Sequence, residues 1–158
     1  MDYHSTSFWH IWLTCYSPTT NTSASQLLLP VRSQKLDLST VAKGEAIVCN
    51  RGQHGYFRLR YDVRNLRKIA ALMLKNHSSL SALERAQVIL DTAPLEWPLS
   101  LPNCRPCTVA VWWRMMNYLK NERNVMPWRK AMMKLDQILG YLKTSPTPVG
   151  ITSSVRPL

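Results

Sequence analysis

Acidic side chains are scarce in this sequence: nine Asp and Glu stand against twenty Lys and Arg, a formal net charge of +11. That imbalance invites a polyanionic partner. Long apolar runs are missing as well. No stretch approaches the roughly 18 residues a bilayer-spanning helix needs, so no membrane span is expected. The start, Met1-Asp2-Tyr3-His4, lacks a basic region, and the apolar run from Phe8 to Leu13 is short and broken by His10. The expectation is therefore neither a signal peptide nor an anchor. Four cysteines, Cys15, Cys49, Cys104 and Cys107, are too few for a disulfide-dense scaffold; they permit two disulfides and demand none. What is present is a 158-residue chain that is 46% apolar with six tryptophans, enough to bury a core and not the composition of a disordered chain. The length fits one domain or two small ones and is short for a metalloenzyme with a catalytic domain and a lid.

The first third reads as β. Phe8 to Leu13 is aromatic and β-branched and ends in the turn-prone Ser17-Pro18-Thr19-Thr20-Asn21. Gln26 to Val31 and Glu45 to Cys49 are two further short apolar runs, closed by Pro30 and by Asn50-Arg51-Gly52. Tyr56 to Tyr61 alternates large residues with arginine, the period of a half-buried strand. Four short strands predict part of an antiparallel β-sandwich, too few to close one.

At Asp62 the period changes. Asp62 is placed to cap a helix striped by Val63, Leu66, Ile69/Ala70 and Met73, which His77-Ser78-Ser79 breaks. Ser81 and Glu84 form a capping box for a second helix through Leu83, Ala86, Ile89 and Leu90. A third covers Val109 to Glu122. A fourth starts at Pro127 and lines Trp128, Ala131/Met132, Leu135, Ile138/Leu139 and Leu142 along one face. Four prolines between Asp91 and Thr108 interrupt this array, since each in a helix interior would cost about 3 kcal/mol. The tail from Ser145 has three prolines and no period, and reads as disordered. The fold class is α+β: a partial β-sandwich over 1–61, a helical array over 62–144 with a Pro-rich departure at 91–108, and a tail at 145–158.

Four blocks carry a resemblance. Asn50 followed by Gly55-Tyr56-Phe57-Arg58-Leu59-Arg60-Tyr61-Asp62 resembles the Gly-Tyr-Tyr-Arg-Val-Asn-Tyr-Asp signature of aminopeptidase N-type zinc aminopeptidases, with Phe57 and Arg60 departing from its commonest form. Leu83-Glu84-Arg85-Ala86-Gln87 with Asp91 resembles the Arg-Ala-Gln helix that ends in paired aspartates; Leu90 takes the first aspartate position. Tyr118-Leu119-Lys120-Asn121-Glu122 with Pro127-Trp128 is similar to a third block. Trp9-His10-Ile11-Trp12-Leu13-Thr14 is similar to the Trp-x-Ile-Pro-Leu-Thr strand, Trp12 replacing the proline. The resemblance covers about residues 8–91 and 108–144.

It implies the end of the sandwich domain and the start of the α-superhelical C-terminal domain, which closes like a bowl over the active site of the intact enzyme. In the family one zinc sits on His-Glu-x-x-His plus a distal Glu, and the motif's Glu is the general base. None of the four histidines here (His4, His10, His54, His77) is followed by Glu, and the Gly-x-Met-Glu-Asn motif for the substrate amine is missing. No catalytic, cofactor-binding or metal-ligating residue carries over. The expectation is a non-catalytic C-terminal portion that meets peptide substrate only beside a catalytic domain, with zinc belonging to the intact parent. A protein partner or dimer contact through the helices is also expected. Family members include membrane-anchored ectoenzymes, secretory-pathway lumenal enzymes and cytoplasmic ones, so the resemblance fixes no compartment. Residues 92–107 and the stretch after Thr147 leave the family pattern, as does a start inside a sandwich; an altered exon, a frame error or a truncated gene is the expectation, with a novel loop as the alternative.

The competing reading is a basic module for nucleic acid or an acidic protein. Seven basic residues and one acid lie between Arg51 and Lys75, and seven basic and two acidic between Arg114 and Lys143. They are spread over strand and helix faces without a nucleic-acid motif, which disfavours that partner. Cys104-Arg105-Pro106-Cys107 has zinc-knuckle spacing but only two of four ligands. Trp112, Trp113, Tyr118 and Trp128 read as core, as do the Met115/Met116 and Met132/Met133 pairs. Asn21-Thr22-Ser23 and Asn76-His77-Ser78 are glycosylation tripeptides, meaningful only in an exported chain.

Overall fold

A computed structural model of the protein describes residues 10–28, 35–41, 44–93 and 105–144. The ends of the first two apolar runs, most of the Pro-rich stretch with Cys104, and the tail from Ser145 lie outside the described residues.

Strands β1 (Ile11–Tyr16), β2 (Ser23–Leu28) and β3 (Val48–Cys49) form one antiparallel sheet in the order β2-β1-β3. β1 and β2 make a hairpin in which Ile11 faces Leu28 and Tyr16 faces Ser23. Its turn is closed by two backbone bonds, Ser17 N to Thr22 O at 2.9 Å and Asn21 N to Ser17 O at 2.8 Å. Asn21 takes φ of 57°, a left-handed conformation that asparagine tolerates. On the other edge Cys15 lies opposite Cys49, and the two are joined in a disulfide across 34 residues of chain.

Among the described residues there are four α-helices: α1 (Val63–Asn76), α2 (Ala82–Thr92), α3 (Arg105–Met116) and α4 (Val125–Thr144). The α+β class and the order of its parts are as the sequence predicts. Both expected caps are present. Asp62 Oδ1 accepts from Asn65 N at 2.9 Å, while Ser81 and Glu84 bond reciprocally. The α1 stripe buries Leu66, Ile69, Ala70 and Met73, as its spacing requires. α1 packs against α3 and α2 against α4.

Three local expectations are corrected. Tyr56 to Tyr61 is not a strand. The alternation holds, with Phe57, Leu59 and Tyr61 turned inward and Tyr56, Arg58 and Arg60 outward. The segment is instead tied down by side chains: Tyr61 Oη accepts from Cys49 N at 3.1 Å, and Arg58 reaches α2. The third helix begins earlier, at Arg105, with Pro106 in its first turn where a missing N–H is harmless. It gives way after Met116 to a 3₁₀ turn over Asn117–Asn121.

The third correction is the orientation of α4. Its inner face is Pro127, Ala131 and Lys134, flanked by Leu135 and Ile138. Trp128, Met132 and Leu139, expected inside, are 41%, 50% and 52% exposed. The apolar stripe is wide enough to be read at either rotation; a lysine inside and a tryptophan outside reflect what α2 presents opposite.

One core runs from the sheet into the helices. Tyr16, Ala46 and Val48 join Leu66, Ile69, Met73, Leu80, Ile89, Trp112, Met115, Tyr118 and Ala131. Trp112 anchors it, wholly buried, and donates Nε1–H to the Ile89 carbonyl at 3.2 Å, so that its one polar group is satisfied.

Candidate functional site

The residues that carry the sequence resemblance converge on the seam between sheet and helices. Asn50 follows β3 in a left-handed conformation, φ 60°, and is buried. Its side chain closes the next loop on itself: Nδ2–H donates to Gly55 O at 2.8 Å and Oδ1 accepts from Gly55 N at 2.9 Å. Its own N–H donates to Thr14 O of β1 at 2.7 Å. One side chain thus fixes the loop, and its backbone ties that loop to the sheet. A larger residue at 55 would have to displace the Phe57 ring, since a Cβ there would stand 2.0 Å from its Cε1. Just beyond, Asn65 of α1 bonds both ways with the Ile47 backbone, at 2.9 and 2.7 Å.

Arg58 extends to the end of α2, where its guanidinium pairs with Asp91 and donates to Leu90 O at 2.6 Å. Gln87 donates to the same Asp91 oxygen at 2.8 Å. Burial pushes the Asp91 carboxyl above its usual range, against the opposing pull of Arg58 and Gln87. Lys134 of α4 is 2% exposed, with Nζ donating to Gln137 Oε1 at 3.0 Å. Burial and the charge of Arg58 lower its ammonium pKa, and Asp91 partly offsets them.

Arg85 and Glu122 form the second ionic element. Nε donates to Oε2 at 2.6 Å and Nη2 to Oε1 at 3.0 Å, a fork-on-fork pair whose side chains are 9% and 1% exposed. Arg85 also donates to the Leu80 carbonyl, while Glu122 accepts from Arg123 N at 3.0 Å and Asn124 N at 2.8 Å. Burial works to raise the Glu122 pKa, but Arg85 and these amides outweigh it and hold the carboxyl below its usual range. Trp128 Nε1–H donates to the Glu122 carbonyl at 3.2 Å, which binds the start of α4 to the same point.

A cavity of about 420 Å³ opens beside the seam, with Leu38, Glu45, Arg60, Asp62, Arg64 and Lys68 among its lining. Its charges are of both signs, and Asp62 is already engaged as the α1 cap. It brings together no nucleophile with a base.

The weighed candidates are scattered. His10 and His54 are exposed and the His77 ring lies tilted against Tyr118, centroids 5.9 Å apart, while His4 lies outside the described residues. Cys107 falls in the first turn of α3, not in a loop. Among the described residues no three His, Cys, Asp or Glu side chains gather as a metal site, so zinc does not fit there. Part of the basic excess is absorbed internally: Arg58 and Arg85 are paired, and the Arg51 guanidinium lies 4.5 Å over the Tyr16 ring. Sequence reasoning missed the Cys15–Cys49 bond, the Arg85–Glu122 pair and the buried Lys134. Cys49 ends one apolar run and Cys15 lies two residues past another, too faint a signal to join them.

A family model for the ERAP1-like C-terminal domain matches residues 46–156, a range that encloses 92–107 and runs past Thr147. Among curated proteins, the thyrotropin-releasing hormone-degrading ectoenzyme of Rattus norvegicus is 30% identical over 145 residues, 89% of this chain and 13% of its own length. Human aminopeptidase N is 31% identical over 137 residues, covering 78% of this chain and 13% of its length. Human glutamyl aminopeptidase is 26% identical over 89 residues, covering 56% and 9%. The chain spans about an eighth of the first two relatives.

Proposed function

Because the chain belongs to the ERAP1-like C-terminal domain family of the M1 aminopeptidases, we propose that it serves as the non-catalytic part of a zinc aminopeptidase homologue. Its helices wall a chamber in which a separate catalytic domain removes N-terminal residues from peptides. The observation that carries this reading is what the family-like residues do. Asn50 and Gly55 lock a loop, Arg58 and Asp91 tie that loop to α2, and Arg85 and Glu122 bind α2 to the approach of α4. They hold a shape and leave no acid, base or nucleophile poised for a substrate. Zinc chemistry belongs to the catalytic domain, and no step passes through this chain.

A second observation supports a role beside other protein. Trp128, Met132, Met133 and Leu139 leave an apolar strip on α4 exposed, bordered by Val125 and Met126. Such a strip favours contact with a neighbouring domain or subunit. The decisive assay offers the full chain aminoacyl-anilides with added zinc. No turnover is expected, and turnover that a chelator abolishes overturns the proposal.

A further inference from the structure

The two Asn-x-Ser tripeptides play no part in that reading, and each alone is weak because such tripeptides are common. Their placement gives them meaning. Asn21 sits in the β1–β2 turn; its backbone amide is committed to Ser17 O, and Asn21, Thr22 and Ser23 are all exposed. Asn76 is the last residue of α1, exposed, and its side chain makes no capping bond to the following turn; Ser78 is exposed too. Neither asparagine belongs to the core. Both amides and both assisting hydroxyls therefore stand at the surface, where a bulky polar group displaces nothing.

The independent observation is the Cys15–Cys49 disulfide. Cys15 is 2% exposed and Cys49 half-buried, so the bond joins the sheet at the edge of the core. It lies beside the first tripeptide, since Cys15 faces Ala24 and Tyr16 faces Ser23 across the hairpin. Structural disulfides persist in oxidising, exporting compartments and are rare where thiols are kept reduced. Exported chains are also those whose exposed Asn-x-Ser sequences accept sugar.

We propose that Asn21 and Asn76 carry N-linked oligosaccharides. In the transfer, Nδ2 of each asparagine bonds to the anomeric carbon of an oligosaccharide carried on a polyprenyl diphosphate. The carbon–oxygen bond to the diphosphate breaks, the diphosphate leaves with the electron pair, and one amide proton passes to a base of the transferring enzyme. The result is an uncharged amide linkage at each site.

The test uses the protein isolated from its native cells. Peptide:N-glycosidase digestion in heavy-oxygen water is followed by peptide mapping. Enzyme-dependent conversion of both Asn21 and Asn76 to the heavy-oxygen acid is the expected result. Expressed in the same cells, Ser23→Ala and Ser78→Ala keep the asparagines and should each lose one glycosidase-sensitive step in mass. Recovery of either asparagine unmodified, or a mass step that survives its serine variant, overturns the proposal. Alkylation in denaturant before reduction supplies a separate readout: Cys15 and Cys49 should resist it, and their labelling as free thiols overturns the export on which the proposal rests.

Discussion

Replacing Arg85 by methionine isolates the energetic role of the ion pair behind α2. The variant keeps the apolar stem and removes the guanidinium from a carboxylate whose side chain is 1% exposed. Glu122 Oε1 keeps its two amide donors, from Arg123 and Asn124, but Oε2 loses the Arg85 Nε bond. The Leu80 carbonyl loses a donor as well. Stranding a buried charge in this way costs about 3–5 kcal/mol, a large share of the roughly 5–15 kcal/mol that holds a domain folded. Urea unfolding followed by far-UV circular dichroism at pH 7 should show the midpoint falling with an unchanged slope. The double variant Arg85→Met with Glu122→Leu should be more stable than Arg85→Met alone, because no charge is left buried. The pH dependence adds a sign. Glu122 is held below its unfolded pKa, so its contribution is present above that unfolded value and is lost as pH falls through the folded one. The deficit of Arg85→Met must therefore shrink on acidification. A loss below about 1 kcal/mol, the range of exposed pairs, or a double variant no better than the single, refutes the reasoning.

Three further outcomes follow from the same contacts. Cys15→Ser with Cys49→Ser removes a link closing 34 residues, for which loop-closure entropy gives about 4 kcal/mol; equal stability of the parent with and without reductant would contradict it. Asn50→Ala should lose about 2–4 kcal/mol through left-handed strain and the broken Gly55 clamp, whereas Asn50→Gly escapes the strain, so glycine should be the milder change in thermal melts. Asp91 has a raised pKa, so its contribution is present below the unfolded value and is lost as pH rises through the folded one. The stability of Asp91→Asn relative to the parent should improve from acid to neutral pH, and the opposite slope in denaturant titrations would sink that assignment.

What could be read in the chain is mostly local. Asp62 and the Ser81–Glu84 box announce themselves by spacing because their partners are three residues away. The α1 stripe is legible because apolar residues fall on one side only. The alternation in Tyr56 to Tyr61 also reports true facing, but facing does not tell whether a neighbouring backbone is there to pair. α4 defeats the same logic, since apolar residues on two sides leave rotation to be decided by Asp91 and Arg58 from elsewhere in the chain. Cys15 with Cys49 and Arg85 with Glu122 are 34 and 37 residues apart. No periodicity links such distant partners. The family blocks were legible as a pattern, while the structural work they perform emerged only from the contacts.

The core that passes uninterrupted beneath Asp62 has a mechanical consequence. Tyr16 and Val48 on the sheet side are buried with Leu66 and Ile69 on the helix side. Bending the chain at this junction would open that apolar contact to water and break the two hydrogen bonds between Asn65 and Ile47. The change of sequence period at residue 62 is thus a weld rather than a pivot. Wherever neighbouring parts move, the sheet and α1 swing as one lever, and any hinge belongs at some other joint.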